Sequence, residues 1–362
     1  MGALPAPPSQ LTGPPQLTKT GKRKRDPVTG GVTAAWVALN AASAIPWCNV
    51  DHSTTQDMGF RLHKEICDFY DYVRPHSFEQ HMRQDLVDRL ANFLQSMYSK
   101  GQLLCFGSFA CGLYLPTADM DLVFVSHEYM DGGYPAFGDR RMMRAIERAL
   151  VTRRMVKPGS CELIFGAKVP IVKFIDEKTG IKVDISFDKL DGPDATKTFL
   201  NWKQQYPAMP IIVTIIKQFL AMRDLSEVFT GGIGGFTITC LVVSLLQLLP
   251  STQSRNMRTE DNLGELLLHF FDHYGSRFNL ETTAISMKPP EYFPKAFNKQ
   301  PNRLCIMDPN RPDNDISQGS SNIAIVFQSF RDAYFNLQKA MTRVRSENPA
   351  FRSQSILGSI LG

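Results

Sequence analysis

The chain has 362 residues, of which 43% are hydrophobic, and a formal charge of +5. That composition excludes a disordered or fibrous protein and leaves room for two packed cores. Its longest apolar run, residues 236–249, is too short and too interrupted by Thr and Ser for a membrane span.

The charge is uneven. Residues 1–46 carry Lys19, Lys22, Arg23, Lys24 and Arg25 against Asp26 alone, so the remainder is close to neutral. A nucleic acid would therefore have to be held by a local basic patch and not by a general positive field. The first thirty residues, rich in Pro, Gly and Thr, lack the apolar run of a secretory signal and read as a disordered tail. Within them Lys22–Arg25 suits either a solvated tail or nuclear import. Seven cysteines are scattered without a CxxC pair, which predicts a reduced intracellular protein using them as small core residues.

Folded structure is expected from Ile45-Pro46-Trp47 onward. Ile66, Phe69, Tyr70 and Val73 mark one helix ended by Pro75. Ser77 and Gln80 predict a capping box for a second, with Phe78, Met82, Leu86, Leu90, Phe93 and Met97 on one face and Gly101 closing it. A pair of strands follows around Gly107-Ser108, then a Gly-rich loop at 131–133 and a basic helix over 139–152. Residues 169–174 and 181–187 predict a hairpin about Asp176–Gly180. After Asp191-Gly192 the pattern turns helical. Helices are expected over 211–222, over 236–249, over 262–274 with Asn262 and Glu265 as a cap pair, and around Ile323 to Met341. Residues 288–320 read as a long Pro-rich loop region.

The most informative stretch is FGSFACGLYLPTADMDLVFVS. Side chains two apart on a strand share a face, so Asp119 and Asp121 stand side by side. Adjacent carboxylates repel unless a cation lies between them. Val183, Ile185 and Phe187 face one way in their strand, which turns Asp184 to the polar side with Lys182 and Ser186. A Gly-Ser turn, a DxD pair and a third Asp form a set suited to phosphoryl transfer with Mg²⁺ or Mn²⁺. Gly107 would let the backbone approach a triphosphate, and Ser108 would donate to a phosphate oxygen. His269 and His273 stand four apart on a helix but lack a third ligand, so packing or surface roles are expected. The arginines at 140, 141, 144, 148, 153 and 154 are read first as a solvated face and second as part of an RNA path.

The ordered set resembles the DNA-polymerase-β-type nucleotidyltransferases. VPIVKFIDEKTGIKVDISFD is similar to the third-carboxylate hairpin of noncanonical poly(A) polymerases. VTIIKQFLAMRDLSEVFTGGIGGFTITCLVVSLLQLLP is similar to their central-domain helices. DNLGELLLHFFDHYGSRFN and DPNRPDNDISQGS resemble their PAP-associated segment with its nucleotide-recognition loop. The resemblance spans about residues 45–340 and points to the fungal, TRAMP-complex type.

It implies an α+β, two-lobed enzyme with a mixed-sheet catalytic domain, a mostly helical central domain and the active-site cleft between them. The expected organisation is a disordered basic tail (1–44), a catalytic domain (76–190), a helical domain built from 45–75 and 191–345, and a C-terminal tail (346–362). It implies two Mg²⁺ or Mn²⁺ ions on Asp119, Asp121 and Asp184, and ATP as substrate beside Gly107, Ser108 and Lys217. Phe236 falls where relatives stack an aromatic on the base, and Gly235 where many have Ser. Asp191 stands where many have Asn. Asp308, Asn314, Asp315 and Ser317 lie in the matched recognition loop.

An RNA 3′ end as acceptor, a zinc-knuckle RNA-binding partner, an RNA helicase, and a nuclear or nucleolar setting in RNA surveillance are implied with it. The alternatives are a terminal uridylyltransferase and a catalytically silent RNA- or partner-binding scaffold. Relatives that select UTP often carry a His in the recognition loop, and residues 308–321 contain none, so the resemblance favours ATP.

Overall fold

The computed structural model describes residues 28–38, 45–165, 169–254, 257–295, 301–346 and 348–362. The Lys22–Arg25 cluster lies outside the described residues.

Helix α1 (Met58–Val73) starts where the Asp57 carboxylate accepts from the Phe60 N–H, and it ends two residues before Pro75. Helix α2 spans Ser77–Met97. Its cap lies one residue earlier than expected, because the Glu79 carboxylate accepts from the His76 N–H at 3.2 Å. Leu86, Leu90 and Phe93 are buried, whereas Phe78 is 55% exposed and Met82 also faces water. The core reaches only the second half of this helix. Gly101 opens the next strand instead of closing the helix.

Five strands form one mixed sheet in the order β1-β2-β5-β4-β3. They are β1 (Gly101–Phe106), β2 (Met120–Ser126), β3 (Glu162–Ile164), β4 (Ile171–Ile175) and β5 (Lys182–Phe187). Only β2 and β5 run parallel. β3, at three residues, is too short to show an alternation pattern in the sequence. The β4–β5 turn is fixed by Asp176, buried and held by both terminal nitrogens of Arg89 from α2. Met120, Leu122, Phe124, Val172, Phe174, Val183 and Ile185 point to one side. There they pack with α2 and with Met142, Met143, Ile146 and Leu150 of α4 (Arg140–Thr152). The other sheet face carries Asp121, Asp184 and Lys173 beside the buried Val123 and Val125.

A second core belongs to the helices. It joins α1 to α5 (Asp191–Gln205), α6 (Met209–Ala221), α7 (Gly235–Leu248), α8 (Leu263–Asp272) and α9 (Ile323–Val344). α5 was not foreseen as a separate helix. The expected Asn262 cap is replaced by His63 of α1, whose Nδ1 accepts from the Leu263 N–H at 3.2 Å. α8 continues beyond Asp272 as a wide turn through Gly275, where the Arg331 backbone approaches too closely for a side chain.

Three expectations change here. The loop region 288–320 contains ordered strands. β6 (Thr283–Met287) pairs with β7 (Pro290–Pro294), and β8 (Met307–Asp308) pairs with β9 (Arg311–Asp315). The expected C-terminal tail packs: Ile356, Leu357, Ile360 and Leu361 are buried in the helical core. Arg61 donates to the Arg352 and Gln354 carbonyls, and Glu65 accepts from Ser355 and Leu357, which fastens that segment to α1. From the segment expected as a tail at the other end, the Thr33 N–H donates to the Met222 carbonyl at 2.8 Å.

Candidate active site

β1 ends on Phe106, which is registered with Asp121 of β2. Gly107 follows at φ +69°, and a Cβ there would lie 2.4 Å from the Asp121 Oδ2. Glycine is therefore required twice, by a left-handed backbone and by the carboxylate itself. Ser108 sits in the first turn of the short helix α3 (Gly107–Cys111).

The chain then crosses Leu113–Ala118 to reach Asp119, immediately before β2. Arg83 of α2 holds this crossing. It is 1% exposed, donates to the Pro116 and Ala118 carbonyls at 3.2 and 3.0 Å, and lies 4.5 Å over the Tyr114 ring. No sequence signal marked it.

Asp121 and Asp184 are register partners on the parallel strands β2 and β5, and Asp184 is in turn the partner of Lys173 on β4. Three charged side chains thus form a row across neighbouring strands, each about 4.8 Å from the next along the ladder. Lys173 Nζ lies 3.0 Å from Asp184 Oδ2 and 3.7 Å from Asp119 Oδ2, bridging two of the predicted carboxylates. Burial and the charges of Asp184 and Asp119 push the Asp121 carboxyl up to about 6. Burial also raises Asp184, against the opposing pull of Lys173.

The helical lobe contributes the opposite wall. Lys217 of α6 donates to the Leu113 carbonyl at 2.8 Å and lies within electrostatic reach of Asp121. Burial brings its ammonium down to about 8. Gly235, the first residue of α7, is exposed, and a Cβ there would meet Lys217 at 3.8 Å, ordinary contact. Phe236 packs edge-on against Phe199 at 5.1 Å.

The loop over 304–317, expected to meet the base, is knit to itself. Asp308 accepts from the Asn310 N–H and from Asn314 Nδ2. Asp315 accepts from the Ile306 N–H and from both the N–H and hydroxyl of Ser317, which is fully buried. Arg311 of β9 forms an ion pair with Asp191, and Asn310 accepts from Thr198, so the hairpin is tied to α5. His273 packs against Tyr292 and shares a 2.9 Å hydrogen bond with it, away from the carboxylates. Arg141, Arg144 and Arg148 are exposed on α4, behind the sheet face that carries the acids.

The sequence singled out the three acids, the Gly107 turn, Lys217 and the α7 start, and the structure brings them near one another at one end of the internal strands β2 and β5. It missed Lys173, Arg83 and Asp188. Asp188 is buried at φ +41° and accepts from Ser126 N, Ser126 Oγ, Ala136 N and Phe137 N, closing β2 and β5 together.

Among the described residues, no three His, Cys, Asp or Glu side chains are gathered tightly enough to enclose a metal as they stand. Lys173 already neutralises part of the cluster. Asp184 Oδ1, however, is buried and has no hydrogen-bond partner. A buried carboxylate oxygen without a donor is costly, and hard oxygens in a row of like charges suit Mg²⁺ or Mn²⁺. The donor set fits such ions.

A mixed sheet with helices packed on one face, and paired acids beside a glycine turn on the other, is the arrangement of the nucleotidyltransferase fold. Residues 62–204 match the family described as poly(A) RNA polymerase, mitochondrial-like, central palm domain, and residues 262–314 match Cid1 family poly A polymerase. Poly(A) RNA polymerase protein 1 of Saccharomyces cerevisiae is 35% identical over 338 residues, covering 90% of this chain and 51% of that protein. The solved polymerase core of TRAMP, an RNA surveillance complex, superimposes with a TM-score of 0.79 at 33% identity, over 87% of this chain and 98% of that one. The inactive noncanonical poly(A) RNA polymerase protein Trf4-2 of Drosophila melanogaster is 31% identical over 77% of this chain and 68% of its own length. The chain belongs to the noncanonical poly(A) RNA polymerase family. It spans about half the length of the first curated relatives it matches.

Proposed function

We propose that this chain is a template-independent RNA 3′-adenylyltransferase that adds AMP from ATP and serves nuclear RNA surveillance in a TRAMP-like complex. The observation that carries the reading is the Asp121–Asp184 pair in register on parallel strands, with Asp119 beside it and one buried oxygen of Asp184 unpartnered.

In the proposed reaction the RNA 3′ oxygen bonds to the α-phosphorus of ATP as the bond to the β-phosphate oxygen breaks, and pyrophosphate leaves. Asp119, Asp121 and Asp184 would hold two Mg²⁺ or Mn²⁺ ions, which supply charge neutralisation for the entering and leaving oxygens. Asp184 would hold the ion that activates the acceptor hydroxyl. Gly107 and Ser108 offer the backbone and hydroxyl of the phosphate turn. Lys217, set under Gly235, places a cation for the leaving phosphates. Phe236 offers an aromatic surface for the base. In the recognition loop Asp315 and Ser317 act as internal scaffolding, which leaves the Asp308–Asn314 pair as the group that meets the base edge.

A zinc-knuckle RNA-binding protein and an RNA helicase fit as partners, because the body of the chain is nearly neutral and Arg141, Arg144 and Arg148 lie behind the sheet. The inactive relative makes a silent scaffold a definite alternative, and the intact acid row argues against it. Extension of a labelled single-stranded RNA with each NTP alone tests the reading. ATP-dependent tailing supports it, UTP preference moves it to uridylyl transfer, and no extension with any added partner defeats it.

A further inference from the structure

Lys173 is the one cation in direct contact with the acid row among the described residues, and nothing in the proposed reaction uses it. It reaches Asp184 at 3.0 Å and Asp119 at 3.7 Å, and its position is set by strand pairing and not by a flexible loop. Glu227, from the segment between α6 and α7, adds further negative charge to its surroundings. One side-chain amine thus stands against the two carboxylates that a divalent cation would have to join.

We infer that Lys173 is a tethered counter-cation that competes with the metal for Asp119 and Asp184. In the metal-free protein it holds the two acids near each other against their repulsion. Metal binding has to displace its Nζ, so the site takes a cation weakly until a nucleotide triphosphate arrives with charge of its own. The displaced ammonium remains on β4, at the edge of the same site, free to meet a phosphate. Lys173 is in this sense a positioning residue that sets how strongly metal binding depends on nucleotide. The inference rests on the cation-binding part of the function proposed above.

The test uses the whole chain and Mn²⁺ itself, with bound and free ion counted by electron paramagnetic resonance in the absence of nucleotide. Lys173→Met should bind Mn²⁺ about ten-fold more tightly than wild type, a difference of about 1.4 kcal/mol. Lys173→Arg, which keeps the charge, should stay weak. In EDTA, Lys173→Met should melt at a lower temperature than wild type, and Mn²⁺ should recover more of that loss than it gives the wild type. Lys173→Gln is read in the same way if the Met variant does not fold. Unchanged or weaker Mn²⁺ binding in the uncharged variants overturns the inference. Mn²⁺ binding that survives in Asp119→Ala/Asp121→Ala overturns the cation site itself, so the two failures are distinct.

Discussion

Two acidic regions of this molecule are built in opposite ways. In the loop over 304–317, Asp315 accepts hydrogen bonds from the Ile306 N–H and from both the N–H and the hydroxyl of Ser317, which is buried. On the sheet, Asp121 stands beside two other carboxylates, is pushed up to about 6 by burial and by their charges, and Asp184 keeps one buried oxygen unpartnered. The first arrangement is complete and makes structure. The second is incomplete and is stable only at a cost in electrostatic free energy. Incompleteness of that kind is what a site for an external cation looks like before it is filled.

The contrast can be broken most sharply at the acids. Asp119→Asn/Asp121→Asn should lower AMP incorporation by about 10³-fold, on the scale of losing charge-stabilising groups. Its melting temperature in EDTA should equal or exceed that of wild type, because repulsion is removed with the activity. A lower melting temperature would place these acids among the structural ones. Asp315→Ala should behave in reverse and lose about 1–3 kcal/mol of stability in denaturant titrations, since the Ser317 N–H is left without its acceptor while the Ile306 N–H and the Ser317 hydroxyl keep Ser317 Oγ and the Leu304 carbonyl.

Proton linkage sharpens the same comparison. The Asp121 carboxyl titrates near 6 in the folded protein, against about 3.9 for an unfolded aspartate. Between these values the folded state holds more protons than the unfolded one. Metal-free stability should therefore fall as pH rises from about 4 to 6, by roughly 1–2 kcal/mol after allowance for water access. Asp121→Asn should flatten that slope in thermal melts taken in EDTA, and parallel curves would contradict the assignment. The smallest effect is expected at Gly235. A side chain there has room above Lys217, so Gly235→Ser should fold normally and lower the KM for ATP by about two- to five-fold, under 1 kcal/mol.

What the sequence revealed follows from the range of the interactions involved. Asp121 and Asp184 were legible because strand alternation is local and the apolar residues beside them fix which face is polar, and Asp119, one residue before β2, was legible from its spacing to Asp121. The Gly107 requirement was legible too, though for a different reason, since the atom that excludes a side chain belongs to Asp121. Lys173 was not, because its importance lies in register with a residue eleven positions on, and nothing around it differs from an ordinary strand lysine. Arg83 and the Arg61–Glu65 clamp act on backbone carbonyls and amides far along the chain, which no spacing reports. His63 displaced Asn262 as the cap of α8 for the same reason. The hairpins within 283–315 were hidden by Pro and Asn signals that read as loop when only neighbours are weighed.

The contact between α5 and β1 has a mechanical meaning. A Cβ at Gly192 would lie 2.3 Å from the Phe106 ring, so helix and ring are already seated together without slack. Phe106 is the residue before Gly107 and the register partner of Asp121. Any rocking of the helical lobe that carries the first turn of α5 must push on that ring, and through it on the glycine hinge and the acid behind it. The pair ties the first turn of α5 to the strand end that carries Asp121, and what lets them seat so closely is a missing methyl group.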